Sequence, residues 1–576
     1  MMIKADANNQ KYSCHGVNAL QFRALYILLR LLIFMKLIRF SRLAVALTLV
    51  GCGGGGGGGA ADVGQPAPLL QPQAVDVTPQ AVELQCDGVR CQMPAGVSQK
   101  TVGTVFRFRN KTDRDQVIRI EGLEAGPVWQ MVQTSMPEAT ALNNAIMPEL
   151  SIGAVSSRGG RSAPVGAPLT IESLDADKDI AKAWHVSGSM GRTTTFKMAS
   201  HPLPGGGKVY VWAGGDKKFE SNYQAYFKRA QTLAEIFADS IYPLEVGLLG
   251  EHWGALDHPE AEAEFLPSAH RDVHIVAVPL EKGTAGYVNI YDRRHGDTVG
   301  GNLAHALFMQ LDFFAPGAAD HRAGEDTLDS YQSAVAVLAH EFSHLIFQYQ
   351  KIIKPWQPGE AVRNNVRKRE VWESEMFAEA ASYLVSSELF SGSIASGQRV
   401  NPYLLADGEI ENGLDYRDSG CRFDQWRERS CYNKASALGA LMVHQYGAGV
   451  LKSWLDSKLF GEKALTDAIG RQGGDDYLDL KEQFAGLALL AGKKIQTPER
   501  YAFRQREILV PAGVYVGAER RYALPKIELA NFKNMLIPLA DHREQDIATK
   551  GFIGSASNVV TVPPYTMLSF TYSPAR

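Results

Sequence analysis

The strongest chemical signal in the sequence is Ala339-His340-Glu341-Phe342-Ser343-His344-Leu345, which reads H-E-x-x-H. On a helix, residues four apart share one face a turn apart, so both imidazoles can reach a single ion. Glu341 stands beside the first of them, where a carboxylate can hold a water molecule and take its proton. Neutral imidazole suits zinc, and a catalytic zinc site needs three protein ligands and one open position. The pattern predicts zinc ligands at His340 and His344, a general base at Glu341, and a third ligand elsewhere.

The elements that must carry these residues are legible as helices. Val335, Leu338, Phe342, Leu345, Ile346 and Tyr349 recur at three- and four-residue steps, and neither Pro nor Gly interrupts Tyr331 to Gln350. A second helix is predicted from Val371 to Leu389, with a broad apolar face and with Glu373, Glu375 and Glu379 along it. A third is predicted from Tyr432 to Tyr446, with Gly447 closing its C-terminus.

The second helix carries a resemblance. Trp372-Glu373-Ser374-Glu375-Met376 resembles the W-x-N-E-G segment of gluzincin metallopeptidases, with Ser374 where Asn is usual and Met376 where Gly is usual. Over about residues 330 to 450 the arrangement is most similar to the hyicolysin-type family. The resemblance implies that Glu375 is the third zinc ligand. It also implies that Glu379, one turn on, takes the other ring N–H of a ligand histidine. Tyr432 resembles the family's tyrosine that donates to the oxyanion, with His444 as the runner-up. By residue chemistry alone Glu373 and Glu379 remain rival ligands, although a regular helix would turn Glu373 about 160° away from Glu375.

The N-terminus predicts export. Met35 to Arg42 is a short basic segment, Leu43 to Val50 is apolar, and Met35 reads as the natural start. Leu49-Val50-Gly51-Cys52 resembles a bacterial lipobox, which implies lipidation at Cys52 and attachment to the cell envelope, at the outer membrane if there are two. The alternatives are an ordinary signal peptide or an uncleaved anchor over Leu25 to Val50. Gly53 to Gly59 and the Pro- and Gln-rich stretch after them read as a tether. In an exported chain Cys86 with Cys91, and Cys421 with Cys431, read as two small-loop disulfides, although four cysteines allow three pairings.

A net charge of −3 gives no electrostatic case for nucleic acid, and no dinucleotide or phosphate-loop pattern occurs. The remaining histidines, among them His252, His258, His270, His274, His295, His305 and His321, lack ligand spacing and read as solvated loop residues.

The chain thus reads as multidomain: a signal region over 1–52, a linker over 53–80, an all-β accessory domain over 81–215, a gluzincin-like α+β zinc metallopeptidase domain over 220–500 and a small β-rich region over 501–576. In the catalytic part a small mixed sheet precedes a helical subdomain, and a long helix from Ser221 ends near Pro243. The expected activity is zinc-dependent endoproteolysis of proteins or peptides by a chain held at a membrane through its lipid. A zinc aminopeptidase and a surface adhesin with a degenerate peptidase domain are the rival readings.

Overall fold

Short strands with alternating burial begin the described part of the protein. The computed structural model describes residues 81–95, 104–121, 128–135, 176–186, 191–216, 219, 223–281, 284–295, 301–314, 331–357, 371–390, 430–490, 498–527, 551–553 and 559–573. The signal region with Cys52, the linker, His321 and the Cys421–Cys431 pairing lie outside them. Among the described residues no helix is long and apolar enough to cross a membrane.

Strands β1 (Ala81–Glu83), β2 (Gln85–Asp87), β3 (Arg90–Gln92), β4 (Val105–Asn110), β5 (Gln116–Glu121) and β6 (Val128–Ser135) come first. Cys86 faces Cys91 across the β2–β3 hairpin, and the expected disulfide joins them. In β5 the period of two buries Ile118 and Ile120 and exposes Val117 and Arg119.

Strands β7 (Ala181–Val186), β8 (Gly191–Pro202) and β9 (Lys208–Gly214) follow, and they depart from the expected domain boundary at 215. They form half of the central sheet, whose order is β11-β12-β10-β9-β8-β7, with β10 (Val273–Val278), β11 (Gly286–Tyr287) and β12 (His305–Gln310) as the other half. Alternation shows that a segment is a strand but not which strand it joins. Here β9 pairs in parallel with β10, which requires a long crossover. Two helices supply it, α1 (Tyr223–Ile236) and α2 (Tyr242–Leu249), joined by a π-helical turn at Phe237–Ile241. The helix therefore runs past Pro243, contrary to expectation. Proline falls in the first turn of α2, where its missing N–H costs least.

Helix α3 (Gln332–Gln348) lies on the sheet face lined by Val209, Val211, Ile275, Leu307 and Met309, all in one core with Val335, Leu338 and Phe342. Arg293, fully buried, donates from a guanidinium N–H to the Leu345 carbonyl at 3.2 Å and so holds the C-terminal end of α3. Helix α4 (Val371–Leu389) has the bounds that its sequence predicts. Helix α5 (Ser430–Tyr446) ends at Gly447, whose φ of 82° and N–H bonded to the Val443 carbonyl close the last turn. Helices α6 (Gly449–Asp456), α7 (Gly461–Arg471) and α8 (Tyr477–Leu490) complete the helical subdomain.

The expected separate β region over 501–576 does not form. The β13 (Arg506–Val510) and β14 (Arg520–Leu524) hairpin packs Ile508, Val510 and Leu524 into the core of the helices. Strands β15 (Gly551–Ile553), β16 (Val559–Val562) and β17 (Thr566–Ser573) return to the first strands of the chain. The resulting sheets have the orders β1-β4-β17-β6-β15 and β16-β5-β3-β2, and close on Phe106, Ile118, Ile120, Val560, Leu568 and Phe570. One β-sandwich is thus made from both ends of the described chain. It meets α8 at Glu482, a fully buried carboxylate that accepts from Arg107 and, at 3.4 Å, from Arg109 of β4.

Candidate metal centre

Helix α3 brings its two histidines together as the four-residue spacing requires. Both are nearly buried, and their Nε2 atoms lie 3.1 Å apart. Helix α4 packs against α3 and turns Glu375 toward the pair, its Oε2 at 3.2 Å from His340 Nε2 and 3.4 Å from His344 Nε2. The three ligand atoms lie within 4.8 Å of one another, and among the described residues this is the group with such geometry.

The outer faces of the rings decide their tautomers. Glu379 Oε1 lies 3.2 Å from His340 Nδ1, and an ionised carboxylate only accepts, so Nδ1 carries the hydrogen. His344 Nδ1 lies 2.9 Å from Ser374 Oγ, a hydroxyl able to accept its N–H when Nε2 serves as the ligand atom. Both Nε2 atoms lie on the Glu375 side, where they donate to its carboxylate when no metal is bound and would turn a lone pair to a bound metal. Two imidazoles and one carboxylate, each held from behind, match the donor set of a catalytic zinc site.

Electrostatics agree with this fit. Burial pushes the Glu375 carboxyl up, yet His344, with the hydrogen bonds from both histidines, outweighs it and leaves the pKa far below the usual range. Burial likewise disfavours a charged His340, but its bonds to Glu375 and Glu379 raise its pKa well above the ordinary value. The centre of the site favours positive charge.

Glu341 is not part of the ligand group. It is buried, its Oε2 has no hydrogen-bond partner, and burial pushes its pKa up to about 7 against the pull of His340 and His344. A carboxyl poised near neutrality can both take and return a proton. Tyr432 lies close by, its ring centroid 6.2 Å from that of His340. Its hydroxyl is hydrogen-bonded to Glu375; that carboxylate's charge first, and burial second, raise the phenol pKa far above its usual value, so it stays a donor.

The rival candidates lie elsewhere. Glu373 points to the far side of α4 and accepts from Trp454 Nε1 at 3.0 Å and from the Gly461 N–H at 2.8 Å. His444 is buried between the Tyr383 hydroxyl and the Arg504 carbonyl, and burial pushes its pKa down to about 4. It is a core histidine, not an oxyanion donor. The expected solvation of His252, His270, His274 and His305 fails too, since all four are buried among aromatic rings.

Three contributions escape sequence reasoning. Ser374 is the partner of His344; its departure from the usual Asn was visible, but its hydrogen bond was not. Ser343, between the two histidines, lies 2.7 Å from the Ala339 carbonyl and 2.9 Å from Glu245 Oε2. The Ser343 hydroxyl is the donor toward both oxygens, and burial raises the Glu245 pKa well above the usual carboxylate range against the pull of that bond. The third is Gly286 of β11, whose Cα faces the Glu341 carboxylate.

No protein-family profile and no curated protein matches the chain. Among solved structures it is similar to an aminopeptidase N family protein from Idiomarina loihiensis, at 12% identity and a TM-score of 0.28, over 65% of this chain and 56% of that one. It is also similar to an M1 zinc metallopeptidase from Deinococcus radiodurans, at 14% identity and a TM-score of 0.26, over 53% and 60% of the two chains. The match therefore spans less than two thirds of either protein. Likenesses at this level leave the family open.

Ser374→Ala removes the bond that orients His344 without touching a ligand atom. The expected outcome is a loss of metal affinity of about 10-fold, the lower end for such outer partners, read by competition with a chromophoric chelator. Unchanged affinity would show that packing alone holds the ring.

Proposed function

We propose that the protein is a zinc metalloendopeptidase that hydrolyses peptide bonds in extended polypeptide. The observation that carries this reading is the convergence of His340, His344 and Glu375 with the buried carboxylate of Glu341, its Oε2 without a hydrogen-bond partner, beside them. When bound, zinc supplies a Lewis acid that polarises the scissile carbonyl and makes water a better nucleophile.

The rest falls to the protein's own side chains. Glu341 takes a proton from the water as its oxygen bonds to the carbonyl carbon, then gives that proton to the departing amine as the C–N bond breaks. Tyr432, held protonated, donates to the oxyanion. Glu379 and Ser374 keep both imidazoles in the ligand tautomer. Strand β11 is the edge of the central sheet, and its backbone groups are suited to an extended peptide docking as a further strand.

The test is cleavage of one peptide with a free and with an acetylated N-terminus. An endopeptidase cuts both internally at similar rates. Release of the first residue from the free peptide alone would favour the aminopeptidase reading, and binding without cleavage the adhesin.

Export with lipid attachment at Cys52 accompanies this proposal. It is supported by the lipobox-like segment and by the Cys86–Cys91 disulfide, a bond typical of oxidising compartments. Cys52→Ser should move the protein from the detergent phase to the aqueous phase; unchanged partitioning would remove the lipid anchor from the account.

A further inference from the structure

Gly286 pairs with Met309 of β12 and sits over the helix that carries the metal group. A Cβ added there would lie 2.6 Å from Glu341 Oε1, 2.9 Å from Glu341 Cγ and 2.9 Å from the Phe308 carbonyl oxygen. Side-chain carbons do not approach other heavy atoms so closely. The backbone does not demand glycine, because Gly286 is not among the residues with positive φ. The demand is for space, and the end of Glu341 fills it.

Helix α3 has little freedom to retreat. Ser343 ties it to Glu245 on one side, and Arg293 holds the Leu345 carbonyl at its end. The Glu341 carboxylate is therefore confined between its own helix and the bare Cα of an edge strand.

We propose that Gly286 is a positioning residue for Glu341: its missing side chain is the seat that holds the carboxylate between the metal group and the edge where a peptide would lie. This rests on the reading of Glu341 as the base. Any side chain at 286 displaces the carboxylate first, because a carboxylate end yields more easily than the β11–β12 backbone. The docking edge then keeps its register while the base is misplaced.

Two measurements on the full chain test this, both with Gly286→Ala. In kinetics on a cleaved peptide, the variant is expected to lose about 10- to 100-fold in kcat, as a misplacement of about 1 Å can cause. KM should stay within about threefold and zinc at the wild-type stoichiometry. Full kcat would overturn the proposal, as would a loss confined to KM.

The second is a double-mutant cycle on melting temperature with Glu341→Ala. The glycine substitution should cost less in the Glu341→Ala background, where of the three nearest atoms the Phe308 carbonyl oxygen alone remains. Equal costs in both backgrounds would overturn the seat and leave strand packing as the reason for glycine. The cycle needs no activity. Coupling in a protein that cleaves nothing would sink the peptidase reading and keep the seat; absence of coupling in an active enzyme would do the reverse.

Discussion

Glu341→Gln is expected to lower peptide hydrolysis by about 10²- to 10⁴-fold, the range that general acid–base catalysis commonly contributes, while zinc still binds. The amide fills the same volume beside Gly286 but cannot take a proton. It removes no ligand, since the metal group consists of His340, His344 and Glu375. Steady-state kinetics with metal analysis on the same sample checks both halves. Near-normal activity would move the base elsewhere; loss of zinc would show that Glu341 helps to hold the ion.

Stability gives an independent reading of the same residue. Burial raises the Glu341 carboxyl to about 7, so in chelated protein the folded state binds a proton more tightly than the unfolded one. That contribution is fully present below the ordinary carboxylate pKa and is lost as pH rises through about 7. The melting temperature of chelated Glu341→Gln should therefore gain on that of wild type as pH rises across this window.

The largest expected effect on folding comes from Glu373. Both its carboxylate oxygens accept from buried donors, the Trp454 indole and the Gly461 amide, and so pin α4 to α6 and to the start of α7. Glu373→Ala leaves two buried N–H groups unpaired and opens a cavity, at a cost of about 3–5 kcal/mol. Glu373→Gln turns an NH2 group toward one of the donors and should cost about 1–3 kcal/mol. Urea unfolding measures both. Because α4 also carries Ser374, Glu375 and Glu379, the alanine variant should bind zinc more weakly. A cost below about 1 kcal/mol for alanine would contradict this role.

The metal centre was legible because its information is local. His340, Glu341 and His344 share a single helical turn, and the 3.6-residue period of α3 and α4 is strong enough to place both helices. Glu375 is read as a ligand through the resemblance of its segment, and Glu379 as the partner of a ligand histidine through its place one turn on. What failed was partnership between distant segments. The alternation in β7 to β9 marks strands but not the central sheet they join. That of β16 and β17 does not reveal that they close a sandwich begun at Ala81. Solvation of His252, His270 and His305 is likewise decided by what packs on them, which no local spacing records. Nothing in the local sequence marks Gly286; only the fold brings Glu341 against it.

The central claim is tested most directly by hydrolysis of an unfolded, labelled casein by the purified full chain in detergent, with and without a zinc chelator. The account predicts cleavage that stops with chelator, returns when zinc is added back and is absent from Glu341→Gln. Protein that binds no zinc, or cleavage indifferent to the chelator, would contradict it.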